Sequence, residues 1–189
     1  MGRLVLSKFN HPVHLIVGLG NVGRKYELSR HNAGFLFLDA LNSIIGEEYT
    51  SYISTEREFE LHHYKTLELT LLKPKLMMNL SGEALKSYLK YHDILDCKDI
   101  LVVHDDLDIP FGSFKLQLYK SPRLHNGIKS IENSLKTQEF YRLRVGVDNR
   151  TNRNLSPVDF VLKKMTVEEI EELKGLFMNT IKEEFTYLD

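Results

Sequence analysis

The chain of 189 residues has one cysteine and no tryptophan. A single cysteine excludes a disulfide framework and any zinc site built from several cysteines. The sequence also lacks an uninterrupted apolar run of about 18 residues, so it contains no candidate membrane-spanning helix. Hydrophobic residues make up 42% and charged residues 27% of the chain. This balance is typical of a globular domain and excludes a disordered or fibrous chain.

The net charge of −1 conceals an uneven distribution along the chain. Residues 166–189 carry seven acidic and two basic side chains, a net charge of −5, while residues 1–165 carry 23 basic and 19 acidic ones, a net charge of +4. The segment 112–131 contains four basic residues and no acidic one. Such a run indicates either a solvated face or a surface that binds a polyanion.

Alternating strand and helix patterns predict one α/β domain over residues 1–189, with a central mixed β-sheet flanked by helices. Residues 1–13 are expected to be a flexible leader, and residues 166–189 an acidic C-terminal helix. Strands are predicted at 14–19, 59–64, 67–72, 100–104, 113–119 and 141–147, and helices at 32–45, 77–91, 126–135 and 166–185.

Three glycines, Gly18, Gly20 and Gly23, follow the first predicted strand in the pattern G-x-G-x-x-G. This pattern is typical of a dinucleotide site, which requires a helix that starts at the glycines. Here a polar loop follows, and the helix is expected to begin near Asn32, with Asn32 as its cap. The alternatives are a tight turn that needs glycine dihedrals, or a turn that directs Asn21 into a cleft.

Polar residues lie at the ends of several predicted elements. They include His31, Asp105 and three asparagines, Asn21, Asn79 and Asn126. The aspartates in the segment 104–108 could bind a metal such as Mg²⁺, form a turn, or orient a histidine ring. A site of amides with one histidine–aspartate pair lacks a side-chain nucleophile. It suits attack by water on an activated carbonyl, with histidine as the general base and amides stabilising the oxyanion.

Four segments together resemble the bacterial-type peptidyl-tRNA hydrolase family. They are Gly-Leu-Gly-Asn-Val-Gly-x-x-Tyr-x-x-x-Arg-His-Asn-x-Gly (18–34), Lys-Pro-x-x-x-Met-Asn-Leu-Ser-Gly (73–82), His-Asp-Asp-Leu-Asp-x-Pro-x-Gly (104–112) and His-Asn-Gly-x-x-Ser-Ile (125–131). The segments 142–147 and 159–162 continue the resemblance, which covers nearly the whole chain. It implies a monomeric α/β enzyme that hydrolyses the ester between a peptide and the 3′ end of tRNA. It also implies that the enzyme needs no metal or cofactor.

The resemblance also assigns roles to individual residues. His31 would be the general base and Asp105 its orienting partner, and Asn21 and Asn126 would position the peptide, the water and the oxyanion. The remaining implied roles are Asn79 and Met78 in the peptide-binding cleft, Tyr26 near the tRNA terminus, and Lys115, Lys120, Arg123 and Arg144 as candidate contacts to tRNA phosphates.

The sequence departs from the family pattern in the segment 119–124, where a bulkier, basic stretch replaces a glycine-rich one. Gln117 also stands where the family often has a lysine. Two functions therefore remain: an active peptidyl-tRNA hydrolase, or a non-catalytic RNA-binding relative with the same fold. The expected location is the cytoplasm, with the mitochondrion as an alternative, and no membrane association is expected.

Overall fold

The computed structural model describes residues 3–92, 96–120, 122 and 124–188, which contain ten strands and five α-helices. The strands are β1 (Arg3–Leu6), β2 (His11–Pro12), β3 (Leu15–Gly18), β4 (Tyr52–Thr55), β5 (Phe59–Tyr64), β6 (Leu69–Pro74), β7 (Ile100–Pro110), β8 (Phe114–Leu118), β9 (Tyr141–Asp148) and β10 (Phe185–Leu188). The helices are α1 (Ala33–Gly46), α2 (Ser81–Leu89), α3 (Asn126–Leu135), α4 (Pro157–Leu162) and α5 (Val167–Glu184).

The central sheet has seven strands in the order β4–β5–β6–β3–β7–β9–β8. The four inner strands β6, β3, β7 and β9 are mutually parallel, while β4, β5 and β8 add antiparallel pairs at the two edges. The carboxyl ends of the parallel strands therefore meet at one edge of the sheet, where open α/β sheets bind ligands. The predicted α/β architecture with a mixed sheet is confirmed.

Helices cover both faces of this sheet because successive strand residues point to opposite sides. In β3, Ile16 packs into one apolar cluster with Phe37 of α1 and Phe177 of α5. Its neighbour Val17 packs into the other cluster, which contains residues of α2 and α3 such as Leu85. With both faces covered, the edge formed by the strand ends is the place left for a site.

The prediction of a flexible leader over residues 1–13 is wrong for the part of it that the structure describes. β1 pairs with β10 on one side and β2 on the other, in a separate three-stranded antiparallel sheet. Leu4, Val5 and Leu6 are buried. The strand partner of β1 is the C-terminal segment of the chain, so a local sequence pattern could not reveal it. The acidic helix α5 accordingly ends at Glu184 and is followed by a strand.

The glycine-rich segment after β3 does not open a helix, so the dinucleotide interpretation is wrong. The first helix begins at Ala33. Only Gly23 of the three glycines has a positive φ, at 102°. Gly18 serves close packing instead, because a Cβ there would lie 2.5 Å from the carbonyl oxygen of Gly34. A Cβ on Gly34 would in turn lie 2.4 Å from the carbonyl oxygen of Val103, so α1 starts directly against β3 and β7.

Among the described residues, no helix is long and apolar enough to cross a membrane.

The buried position of β1 predicts a clear effect on stability. Leu4 is fully buried in the same apolar cluster as Phe37 and Phe177. Leu4→Ala should lower the free energy of unfolding by about 2–5 kcal/mol, because it removes buried methyl groups and leaves a cavity. The control Lys8→Ala changes an exposed side chain of the same segment and should cost less than about 0.5 kcal/mol. Equal, small effects of both changes in denaturant unfolding would contradict the packing of β1.

Candidate active site

A cleft of about 720 Å³ lies at the carboxyl ends of the parallel strands. Its lining includes six of the predicted site residues: Asn21, His31, Met78, Asn79, Asp105 and Asn126. These residues come from the loop after β3, the turn after β6, the strand β7 and the start of α3. The structure thus brings together residues that are up to 105 positions apart.

His31 and Asp105 form the dyad predicted from the sequence. The Nδ1–H of His31 donates to Oδ1 of Asp105 across 2.8 Å. The side chain of Asp105 is 3% exposed and that of His31 is 13% exposed. With Nδ1 bound to the carboxylate, the Nε2 atom of His31 keeps its lone pair available for a proton. Such an imidazole in a cleft has the geometry of a general base.

His125 is a second partner of Asp105, which the sequence interpretation missed. Its Nδ1 accepts the backbone N–H of Ile128 across 3.2 Å and so caps α3. The other ring nitrogen, Nε2–H, therefore donates to the same Oδ1 of Asp105, across 3.0 Å. The sequence placed His125 directly before the predicted helix, but nothing local showed that its ring reaches β7.

Burial and hydrogen bonding act in opposite directions on the two dyad residues. Burial by itself lowers the pKa of His31, but the charge of Asp105 and its hydrogen bond outweigh this effect, so the pKa is raised above 6.5. Burial favours protonation of Asp105, yet the imidazoles of His31 and His125 hold the pKa of its carboxyl far below the usual range. Asp105 is therefore an anion at neutral pH, and it favours the protonated form of His31.

His104 contacts both Asp105 and His125, and this role was also not predicted from the sequence. Its side chain is fully buried, and its Nδ1–H donates to the carbonyl oxygen of Asp105 across 2.7 Å. Its ring centroid lies 4.8 Å from that of His125, in an edge-to-face arrangement. Burial, followed by the proximity of His125, lowers the pKa of His104 well below its ordinary value. A neutral imidazole thus packs behind the dyad.

Asn21 is held in the cleft by the side chain of Asn32 and by the backbone of Met78. Asn32 binds both backbone groups of Asn21, accepting from its N–H across 2.8 Å and donating to its carbonyl across 3.0 Å. The Oδ1 of Asn21 accepts the N–H of Met78 across 2.8 Å. Asn32 was predicted to cap α1, but its side chain makes no capping bond there. The Nδ2 donor of Asn21 makes no hydrogen bond with the described residues, so it is available to a substrate oxygen.

The other predicted peptide-binding residues divide into two groups. Met78 is buried in the cleft wall, while Asn79 and Asn126 are exposed and line the cleft, Asn79 in the turn before α2 and Asn126 at the start of α3. Tyr26 is half-buried and is not among the described residues that line the cleft. Its predicted role near the tRNA terminus therefore rests on its position in the sequence motif alone.

The predicted phosphate contacts differ in how accessible they are. Lys115 and Lys120 are exposed, and Arg123 lies outside the described residues. Arg144 is buried: its Nε–H donates to Asp106 across 2.7 Å, and its Nη1–H donates to Gln117 across 2.7 Å. An arginine committed to these two partners is not free to bind a phosphate. The interpretation of Arg144 as a surface contact is therefore wrong.

Arg30 connects the turn that carries His31 to the helix α5. This buried arginine precedes His31 in a short 3₁₀ turn. Its guanidinium donates to Glu169 and to Asn149 and stacks on the ring of Phe160, 4.2 Å from the ring centroid. Glu169 also completes the capping box of α5. One acidic residue of α5 therefore reaches the turn that carries His31, a contact that the acidic composition of this helix did not predict.

His31, Asp105 and His125 are also the one described group of side chains whose geometry could hold a metal ion. Their contacts, however, are those of hydrogen bonds, and the protons on His31 Nδ1 and His125 Nε2 point at the oxygen that a cation would bind. The absence of a bound metal stays a prediction.

The fold and the cleft define a class of hydrolytic enzyme, and a histidine–aspartate dyad lies in the cleft. The described residues that line the cleft include no serine, threonine, cysteine or lysine, so a covalent intermediate on such a nucleophile has no candidate there. The chain belongs to the peptidyl-tRNA hydrolase family, whose model matches residues 15–188.

Individual relatives agree with this assignment. The chain is 40% identical over 172 residues to the peptidyl-tRNA hydrolase of Mycoplasma mycoides subsp. mycoides SC, covering 89% of each chain. It is 42% identical over 163 residues to that of Bacillus cereus, covering 84% of each. The crystal structure of the Acinetobacter baumannii enzyme superposes with a TM-score of 0.78 at 28% identity, over 90% of this chain and 85% of the other. Residues 1–14 lie outside the family match.

The hydrogen bond between the dyad residues predicts a titration shift. Asp105→Asn should lower the pKa of His31 to below 6.5, because the charge that raises it is lost and the effect of burial remains. NMR titration of the imidazole measures this value directly. The control Asp99→Asn removes a carboxylate that contacts His11 and should leave His31 unchanged. An unaltered pKa in Asp105→Asn would contradict the predicted pairing.

Proposed function

We propose that this chain hydrolyses the ester that links a peptide to the 3′-terminal ribose of tRNA. The observation that carries the proposal is the His31–Asp105 dyad, with Nε2 of His31 unbound in a cleft that amide side chains line. The relatives named above are peptidyl-tRNA hydrolases. An enzyme of this kind needs a general base, an oxyanion donor and a way to bind any peptide sequence, and the cleft offers groups for each.

The chemistry begins when His31 Nε2 takes a proton from a water molecule that attacks the ester carbonyl carbon. The negative charge that develops on the carbonyl oxygen is stabilised by amide donors, for which Nδ2 of Asn21 and the side chain of Asn126 are the proposed groups. The bond between the carbonyl carbon and the ribose oxygen then breaks. His31 returns the proton to that oxygen, which releases the peptide acid and a tRNA with a free hydroxyl.

Asp105 has two roles in this sequence of steps. Its bond to Nδ1–H of His31 selects the tautomer that presents a lone pair at Nε2, and its charge stabilises the imidazolium formed after proton transfer. The proposed peptide contacts are Asn79 and Met78, which lie beside Asn21 in the cleft. Amides that bind the peptide main chain would not discriminate between sequences.

Recognition of tRNA is proposed to use phosphate contacts from Lys115, Lys120 and Arg123, with Tyr26 near the terminus. The structure gives Lys115 and Lys120 the exposure that this role needs. A monomeric state, the absence of a cofactor and a cytoplasmic or mitochondrial location belong to the same proposal. The alternative of a non-catalytic RNA-binding relative is not favoured, because the complete dyad and its amides are retained.

Removal of the general base should abolish most of the activity. His31→Ala is expected to lower kcat for a labelled peptidyl-tRNA by about 10²–10⁴-fold, the usual contribution of a positioned base. Binding of tRNA should change little. The control His62→Ala alters a histidine of β5 outside the cleft and should keep full activity. Turnover by His31→Ala near that of the unmodified protein would contradict the assignment, and loss of activity in chelator would favour a metal site.

The raised pKa of His31 predicts the pH dependence of the rate. The base acts when it is unprotonated, so kcat/KM, whose pH dependence reports groups of the substrate-free protein, should fall as the pH drops, with the acid limb centred above 6.5 in the unmodified protein. In Asp105→Asn this limb should move to lower pH while the plateau rate falls, because the imidazolium loses its stabilising charge. A limb at the same pH in both proteins would show that a different group controls the rate.

A further inference from the structure

A second groove, of about 270 Å³, adjoins the cleft. It lies between α2 and α3 and shares two lining residues with the cleft, Asn79 and Asn126. Its other polar lining side chains include Glu83 of α2 and Lys129, Ser130 and Asn133 of α3. The groove is therefore continuous with the surface on which the ester is proposed to react.

The floor of this groove is set by a close approach of the two helices. The N–H of Gly82 donates to Oγ of Ser130 across 2.9 Å. A Cβ on Gly82 would lie 2.1 Å from the carbonyl oxygen of Ser130, so only glycine allows this packing. The separation of α2 and α3 is therefore fixed by backbone contact, and the groove exists before any ligand binds.

Three side chains of the groove are polar and have no partner among the described residues. Glu83, Lys129 and Asn133 are exposed and make no hydrogen bond or ion pair with the part of the chain that the structure describes. One carboxylate and one ammonium group give the described lining no net charge, and the other side chains are amides, hydroxyls and the apolar Leu80. Such a lining offers both donors and acceptors without a net charge, which matches the alternating N–H and C=O groups of a peptide main chain.

We propose that this groove is a distal subsite for the nascent peptide, occupied by the residues that precede the one esterified to tRNA. The inference rests on the proposed function and adds a location for the rest of the substrate. Asn126 and Asn133 are seven residues apart on α3, which is about 10 Å along the helix axis. An extended peptide rises about 3.3 Å per residue, so the groove holds about three residues.

The observations favour the peptide over the 3′ end of tRNA as the occupant. A single-stranded nucleotide segment needs excess positive charge for its phosphates and aromatic side chains for its bases. The described lining of the groove has one carboxylate as well as one lysine, and it includes no aromatic residue. Moreover, Glu132 of α3 binds Arg142 of β9, whereas Ser130 contacts α2. The groove thus lies on the side of α3 away from β9 and from Lys115 on β8.

The test compares two substrates with the same tRNA and the same esterified residue. One carries a single N-acetylated amino acid and the other an N-acetylated pentapeptide, and only the second is long enough to enter the groove. Asn133→Ala and Glu83→Ala should each raise KM for the pentapeptidyl substrate by about three- to tenfold, the effect of losing one or two hydrogen bonds. Their kcat values and their KM for the short substrate should stay unchanged.

The control Lys86→Ala removes an exposed side chain of α2 outside the groove and should alter neither KM. Thermal unfolding of all variants verifies that the fold is intact. Equal KM values for the long substrate in Asn133→Ala and the unmodified protein would overturn the inference while leaving the proposed function in place. Weaker inhibition by deacylated tRNA in these variants would overturn it in favour of tRNA binding. Failure of the unmodified protein to hydrolyse either substrate would contradict the proposed function and this inference together.

Discussion

One carboxylate oxygen, Oδ1 of Asp105, organises the site. It is buried in β7 and accepts hydrogen bonds from His31 and His125. A buried anion is costly unless donors surround it, so the position of each imidazole is tied to that of the other. Because His125 also caps α3, the start of that helix, with Asn126, is set by the same contact. The proposed base, the cap of α3 and the proposed oxyanion donor therefore depend on one atom.

The uneven charge of the chain acquires a different meaning in three dimensions. The acidic C-terminal segment is not simply kept away from the site, since Glu169 binds the buried Arg30 next to His31. The basic residues are also not one surface. Arg144 is neutralised by Asp106 inside the molecule, whereas Lys115 and Lys120 remain exposed. Net charge along the sequence does not distinguish charges that neutralise each other internally from charges that face solvent.

Much of the fold follows from local patterns. The observed bounds of α3 and β5 agree with the predicted bounds. Those of α1, β9 and α5 differ from the predicted bounds by no more than one residue at either end. These elements have strong apolar periodicity. The strand β7 was predicted to end at 104 but continues to Pro110. Its pairing with β9 extends past the apolar residues on which the prediction was based. The short elements β1, β2, β4, α4 and β10 were missed. Of these, β1 and β10 pair with each other from opposite ends of the chain, so their own sequences do not reveal them.

The sequence by itself determined the α/β class, the family to which the chain belongs, and the two residues of the dyad, His31 and Asp105. The sequence motifs carry this information because they place specific residue types at fixed positions in the chain. Only the tertiary structure decided that His125 shares Asp105, that His104 packs behind it and that Arg144 is buried. It also decided that α2 and α3 meet closely enough to form a groove beside the cleft. These features depend on distances between segments far apart in the chain, and no local pattern records such distances.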